Sequence, residues 1–174
     1  MTNTSAQRRK VGAGPDGDRA EATRQNILES AARVFRRDGY SGAKLSDIAA
    51  DIGMKAGSLY YHFPSREALV EAVLETGTRR THDALLQKLG QLPTSAGPAK
   101  RIEVAIETHL VMVLAQEDIA SATTKLIGQV PTSIRERALS GQRAYGALWH
   151  KLLVEAQRDG TIRDDVDQIG RAHV

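Results

Sequence analysis

The side chains best suited to binding a partner lie together in one short stretch, GMKAGSLYYHF, at residues 53–63. This stretch holds three of the seven aromatic residues of the chain. Helical spacing points Leu59 and Phe63 toward a core, so that Tyr61 and His62 face outward. Hydroxyl and imidazole groups on an exposed helical face suit contacts with DNA phosphates and base edges. The alternative, a helical hairpin whose aromatics fill the core, does not fit this periodicity.

Small residues and cations surround the aromatic residues. Ala56 and Gly57 leave room for a close backbone approach to DNA, and Lys55 and Arg66 add positive charge on either side. Residues 1–65 contain ten Lys or Arg against seven Asp or Glu, whereas the rest of the chain contains fourteen of each. This distribution indicates a polyanion-binding module ahead of a neutral region, with a solvated basic tail as the alternative.

Helical periodicity predicts the elements that position this stretch. The predicted helices span residues 19–38, 45–52, 56–62, 65–89, 99–116, 119–129 and 133–158. Asp18 is predicted to cap the first helix, Gly39 to end it in a left-handed conformation, and Ser65 to cap the fourth. The second and third helices, separated by a turn that starts at Gly53, have the pattern of a helix-turn-helix.

The fold class predicted from these elements is all-α, with two functional regions. We expect a disordered basic arm at residues 1–17, a three-helix DNA-binding domain at 18–64 and a connecting helix at 65–89. A glycine- and proline-rich linker then leads to an effector-binding and dimerisation domain at residues 98–167.

Composition argues against several classes of protein. The chain is 41% hydrophobic, and it has neither an apolar run near the ~20 residues of a membrane span nor a secretory signal, so we expect a cytoplasmic, nucleoid-associated protein. It has no cysteine, which excludes disulfides and thiolate metal sites. Its five histidines show no close metal-ligand spacing, and no nucleophile motif is present. We therefore expect no metal, no cofactor and no enzymatic activity.

Two long segments carry a resemblance to a known family. ATRQNILESAARVFRRDGY, followed by LSDIAADIGMKAGSLYYHFPSREALVEAVLE, resembles the DNA-binding domain of the tetracycline-repressor (TetR) family of transcriptional regulators. The likeness covers residues 20–75 nearly without gaps, and LYYHFPSREAL is highly specific. It implies a ligand-responsive repressor that binds a palindromic operator as a homodimer and is released by a small-molecule effector.

The resemblance implies a set of DNA-contacting residues. They are Lys44, Lys55, Ala56, Gly57, Ser58, Tyr60, Tyr61, His62 and Arg66. Of these, Tyr60, His62 and Arg66 are expected to contact phosphates, and the residues at 55–57 and Tyr61 to face the groove. The family usually has threonine at the start of the second helix, so that cap and phosphate contact are missing here or are replaced by the Lys44 ammonium. The turn also departs from the usual Ser-Lys pair, so no operator sequence is predicted by analogy.

The second half matches the family in helix layout only. Candidate effector-contacting residues are Glu103, Glu107, His109, Met112, Gln116, Thr123, Tyr145 and Trp149. Core packing is the alternative for His109 and Met112, and core or dimer packing for the pair Tyr145 and Trp149. A loose likeness to regulators of lipid and acyl-coenzyme A breakdown favours a hydrophobic or acyl effector.

The C-terminus departs from the family, which closes with a further long helix that builds half of a four-helix dimer interface. Here a DDVD turn at residues 164–167 is followed by QIGRAHV at residues 168–174. The nucleotide run AGATCGGAAGAGCACACGTCTGA, preceded by one C, translates as these residues and a stop, and it resembles a widely used short-read sequencing adapter. We expect adapter read-through at 168–174, a natural gene that continues after Asp167, and a missing last helix.

Two other functions compete with a ligand-responsive regulator. An architectural DNA-binding protein without an effector has no need of a long neutral helical region with its own apolar faces. An enzyme lacks support in the motifs. Comparing the binding of operator and scrambled DNA separates the regulator from both alternatives.

Overall fold

A computed structural model describes residues 15–114 and 119–163. This part of the chain forms seven α-helices and one 3-10 helix, and it contains no strand, which confirms the all-α prediction. The helices are α1 (Pro15–Gly42), α2 (Leu45–Asp51), α3 (Arg66–Gly90), α4 (Pro98–Leu114), α5 (Ile119–Leu126), α6 (Thr132–Gly141) and α7 (Arg143–Arg158). The 3-10 helix, Ala56–Tyr61, lies between α2 and α3 and is called the recognition segment below.

The predicted ends of the first helices are only partly right. Ser65 caps α3 by accepting a hydrogen bond from the Ala68 N–H at 3.1 Å, and Gly39 interrupts α1 with a φ of 73°, as predicted. The Asp18 cap is wrong because α1 already begins at Pro15, a residue whose missing N–H costs nothing in a first turn. Residues 15–17 are therefore helical rather than part of a disordered arm, and residues 1–14 lie outside the described residues.

The single long helix predicted over residues 133–158 is also wrong. The chain forms α6 and α7 instead, joined at Gln142, whose N–H donates to the carbonyl of Leu139 at 3.0 Å. This is a bond to the third residue back, as in a 3-10 turn, and the preceding glycine lowers the cost of leaving the α-helix. The suspected read-through at 168–174 and the turn before it lie outside the described residues.

Two clusters of buried side chains hold the helices together. The larger, which we call the head cluster, joins α1, α2, the recognition segment and the first half of α3 to α5, α6 and the turn between them. Fully buried members include Phe35 and Leu59 from the N-terminal helices and Leu126 from α5. The smaller, which we call the distal cluster, joins the second half of α3 to α4 and α7. By packing, α5 therefore belongs with the N-terminal helices, although it is remote from them in sequence.

The crossing of α3 and α5 depends on a glycine. A Cβ added to Gly77 meets the hydroxyl of Thr123 and lies 2.9 Å from the carbonyl oxygen of Ile119. The two helices therefore approach here at backbone distance, which only glycine allows.

One face of α4 remains exposed. Ile106, Leu110, Val111 and Leu114 are between 45% and 70% exposed, and three of them repeat at four-residue spacing. Among the described helices, none is long and apolar enough to cross a membrane. This face is thus an apolar surface that the described residues leave uncovered.

Candidate DNA interface and effector cavity

The recognition segment is held by backbone turns on one side and by buried side chains on the other. Gly53 has a φ of 68°, which suits glycine, and the next N–H, that of Met54, donates to the Ala49 carbonyl at 2.8 Å. Leu59 and Phe63 are almost fully buried in the head cluster, as their spacing predicts. These contacts fix the position and rotation of the recognition segment on the head cluster.

The opposite side of the segment faces solvent. Tyr61 is 90% exposed and Tyr60 is 54% exposed, while Ser58 and His62 are half-buried. Gly57 is exposed, and a Cβ added there meets nothing within 4 Å. No contact inside the described chain requires a glycine at this position.

Two lysines supply cations beside the segment. Lys44 occupies the N-cap position of α2 without a side-chain cap bond, as predicted from the missing threonine. Lys44 and Lys55 are exposed, and neither forms an ion pair with another described residue. Arg33, by contrast, is engaged with Asp51 at 2.6 Å, and this hydrogen bond is the main cause that lowers the pKa of the Asp51 carboxyl. The two lysines are therefore available to phosphates.

Arg66 has a partner inside the head. Its guanidinium carbon lies 4.2 Å from the centre of the Tyr40 ring, and its Nη2 donates to the Tyr40 carbonyl. This geometry ties the start of α3 to the end of α1. The predicted phosphate contact of Arg66 stays a prediction, and the structure adds an internal positioning role.

The last turn of α5 and the loop that follows it are hydrogen-bonded to the end of α1. The Tyr40 N–H donates to Oε1 of Gln129 at 2.9 Å, and Nζ of Lys125 donates to the Arg36 carbonyl at 2.7 Å. Sequence reasoning missed these residues because each bond spans 89 positions of the chain. Tyr40 is therefore bonded to Gln129 through its N–H and to Arg66 through its carbonyl.

A cavity of about 230 Å³ lies between α3, α4, α5 and the start of α7. Its lining residues are Gly77, Thr78, Thr81, His109, Val113, Ala120, Thr123, Thr124, Ile127, Gln142 and Tyr145. The sequence indicated His109, Thr123 and Tyr145, and the structure adds three further threonines and Gln142 to the polar lining. The recurrence of threonine along two helices is a sequence signal that could have identified these lining residues.

The other predicted effector contacts do not line this cavity. Glu103 and Glu107 are exposed, because the helical turn places Glu107 nearly opposite His109 on α4. Met112 is half-buried outside the lining, and Gln116 lies outside the described residues. Trp149 packs behind the wall, with its ring edge-on to Tyr145 at 6.3 Å between centroids.

The polar centre of the cavity wall is a histidine–tyrosine pair. Nδ1 of His109 lies 2.6 Å from the Tyr145 hydroxyl, and the two rings stack at 28°. Burial, partly offset by a hydrogen bond with Trp149, raises the pKa of the Tyr145 phenol. The Tyr145 phenol is therefore neutral at physiological pH, and its hydroxyl forms the hydrogen bond with His109.

A second cavity, of about 350 Å³, shares Thr78 and Tyr145 with the first. Its charged side chains are paired, since Arg137 binds Glu71 and Arg79 lies 3.9 Å from Glu75. In the described ranges no group of three His, Asp or Glu side chains lies close enough to hold a metal ion.

The chain is similar to known proteins in sequence and in fold. The family model described as bacterial regulatory proteins, tetR family, matches residues 27–73. The HTH-type transcriptional repressor KstR2 of Mycolicibacterium smegmatis is 30% identical over 164 residues, covering 88% of this chain and 74% of that protein. The solved fatty acid degradation regulator FadR of Bacillus halodurans superposes with a TM-score of 0.71 at 19% identity, covering 89% of this chain and 75% of that one.

A further solved structure is similar in fold. The transcriptional regulator FadR of Bacillus subtilis, in complex with stearoyl-CoA, has a TM-score of 0.70 at 18% identity, covering 82% of this chain and 75% of that one. At this identity the likeness concerns the fold alone.

Proposed function

Because this chain belongs to the tetR family of bacterial regulatory proteins, and is a ligand-responsive transcriptional repressor and not an enzyme, we propose that it reads its operator through the recognition segment. The observation that supports this most is the exposed surface of Tyr60, Tyr61 and Gly57, held in place by the buried Leu59 and Phe63. The surface has the size and chemistry of a helix end that enters a major groove.

The contacts divide into two kinds. Tyr60, His62 and Arg66 bind phosphates, together with the Lys44 ammonium, which orients the head without reading sequence. The groove-facing surface consists of Lys55, Ala56, Gly57 and Tyr61, with Ser58 beside them. Arg66 also positions both sets of contacting residues, since it holds the end of α1 against the start of α3 and lies beside the DNA-facing surface.

The effector acts through the turn between α5 and α6. The cavity is lined by α5 on one side and by α4 and α7 on the other, so an occupant separates the head cluster from the distal cluster. Because Gln129 and Lys125 are hydrogen-bonded to the end of α1, a shift of α5 also moves the end of α1. The effector lowers operator affinity by the difference between its affinities for the two arrangements.

We assign a DNA-binding region to residues 18–64, a connecting helix to 65–89 and an effector-binding region to 98–167. The active form is a homodimer on a palindromic operator, and the uncovered α4 face around Leu110 and Leu114 supports self-association of the effector-binding region. The protein acts in the cytoplasm on the nucleoid, and its effector is a small hydrophobic molecule or an acyl compound.

The proposed function is tested by titrating labelled DNA from upstream of the gene against scrambled DNA at two salt concentrations. Specific binding exceeds nonspecific binding by at least ~10³-fold in a sequence-reading regulator. Equal affinities that both fall steeply with salt contradict the proposal and favour an architectural DNA-binding protein.

Two variants assign the contacts in the same assay. Tyr61→Ala weakens operator binding and leaves scrambled DNA unaffected, because Tyr61 faces the bases. Arg66→Ala weakens binding to both DNAs, because Arg66 fixes the position of the whole head. The reverse pattern contradicts the assigned roles.

A further inference from the structure

The charge of the cavity wall limits the ligands that it accepts. Among the described residues that line the 230 Å³ cavity, none is Lys, Arg, Asp or Glu. A buried anion without a cationic partner is strongly disfavoured, because it loses its hydration and gains no opposite charge. Apart from His109 and the Tyr145 hydroxyl, the described lining therefore offers a carboxylate or phosphate group no cationic or strongly donating partner.

The neighbouring cavity does not supply the missing cation. Arg137 and Arg79, which line it, are paired with Glu71 and Glu75, so their charges are locally balanced. An anionic group reaching in from the first cavity, past Tyr145, meets glutamates as readily as arginines.

The hydrogens of the threonine hydroxyls are already used. Those of Thr78 and Thr81 donate to the carbonyls of Leu74 and Gly77, at 3.1 Å and 3.0 Å. On α5, Thr123 donates to Ile119 at 3.0 Å, and Thr124 makes the equivalent bond one residue later along the helix. Each hydroxyl has one hydrogen and two lone pairs, so what remains on each threonine is the capacity to accept.

One of these acceptors has a partner in the wall itself. Nε2 of Gln142 donates to Oγ1 of Thr78 at 3.3 Å. The acceptors on Thr81 and Thr123 are more than nine-tenths buried, and no hydrogen bond to either oxygen from a described donor is present. Buried acceptors of this kind gain most from a ligand that donates.

The histidine–tyrosine pair adapts to such a ligand. When the Tyr145 hydroxyl donates to Nδ1 of His109, the phenol oxygen faces the cavity as a further acceptor. The other imidazole tautomer frees the phenol hydrogen for an oxygen on the ligand. The pair thus accommodates a hydroxyl group in either orientation.

From these three features we infer that the cavity selects an uncharged, largely apolar effector that donates a hydrogen bond from a hydroxyl or amide group to Thr81 and Thr123. This inference rests on the proposed function and narrows its effector class. The volume lies below the ~300 to 1,000 Å³ of common ligand sites, so the buried part of the effector is small. A coenzyme A thioester places its phosphates outside this cavity, where it gains nothing from the threonines.

A matched probe series tests the inference by thermal shift and by isothermal titration. The probes are naphthalene, 1-methoxynaphthalene, 1-naphthol and 1-naphthoate, which share one ring system and differ in donor, acceptor and charge. We expect 1-naphthol to bind about threefold to tenfold more tightly than 1-methoxynaphthalene, which is the effect of one net hydrogen bond. The anion 1-naphthoate binds at least about tenfold more weakly than 1-naphthol.

Variants of the two acceptors localise the effect. Thr81→Val and Thr123→Val, made separately and together, keep the side-chain shape and remove the oxygen, so the preference for 1-naphthol over 1-methoxynaphthalene falls toward unity. Ser140→Ala is the control, because Ser140 lines only the neighbouring cavity and leaves the preference unchanged.

Failure of the inference is distinguishable from failure of the proposed function. Tighter binding of 1-naphthoate or of an acyl-coenzyme A, an unchanged preference in the double variant, or the absence of binding by all four probes overturns the inference. Titration of operator DNA with the ligand-free protein tests the proposed function separately, and specific DNA binding can persist when the inference fails.

Discussion

The head cluster and the distal cluster differ in extent and in chemistry. The head cluster is large and mostly aliphatic and reaches from the recognition segment to α6. The distal cluster has four buried members, with Tyr145 and Trp149 packed against it. The effector cavity lies between the two clusters. The difference between them shows that α5, which lines this cavity, packs with the N-terminal helices. Under the proposed function, a small displacement at the cavity therefore moves the DNA-binding surface.

Breaking the contact between α3 and α5 has the largest expected effect. Gly77→Val places a side chain against Thr123 and the backbone of α5, so we expect a loss of at least about 2 kcal/mol in the free energy of unfolding. Urea denaturation measures it.

Gly146→Ala is the matched control for that variant. A Cβ at Gly146 meets nothing within 4 Å, and the residue lies within α7, so alanine stabilises the protein by about 0.5 to 1 kcal/mol. Equal effects of the two substitutions contradict the assigned role of Gly77.

Removing the link between the turn and α1 has an intermediate effect. Gln129→Ala deletes the acceptor of the Tyr40 N–H, and we expect a loss of about 1 kcal/mol in stability together with faster hydrogen exchange at that amide. The variant is also expected to weaken the coupling between the cavity and operator binding.

A double-mutant cycle measures this coupling without a ligand. Ala120→Leu fills part of the cavity and lowers operator affinity in the native background, and it has a smaller effect when Gln129 is alanine. Additive effects of the two substitutions on operator affinity refute the proposed route.

The smallest expected effect is the change of stability with pH that comes from Tyr145, beside the distal cluster. Burial raises the pKa of Tyr145 above the ordinary value of 10.0, so its contribution to stability is present below that pH and is lost as the pH rises through the folded value. An absorbance titration of the phenols shows a late step that Tyr145→Phe removes.

The two regions also differed in how well the sequence predicted them. Ser65, Gly39 and the outward-facing Tyr61 follow from local rules of capping, backbone freedom and periodicity, so the head was predicted closely. The cavity was predicted only in part. The sequence indicated His109, Thr123 and Tyr145 but missed Thr81, because no local pattern relates α3 to the helices that carry the other three. The break at Gln142 was missed because the apolar periodicity continues across it.

Gly57→Leu is the variant that shows whether the exposed side of the recognition segment binds DNA. A Cβ added at Gly57 meets no atom within 4 Å, so we expect an unchanged melting temperature and a loss of at least about tenfold in operator affinity, equivalent to about 1.4 kcal/mol. Operator affinity equal to that of the native protein, with the fold intact, contradicts the account.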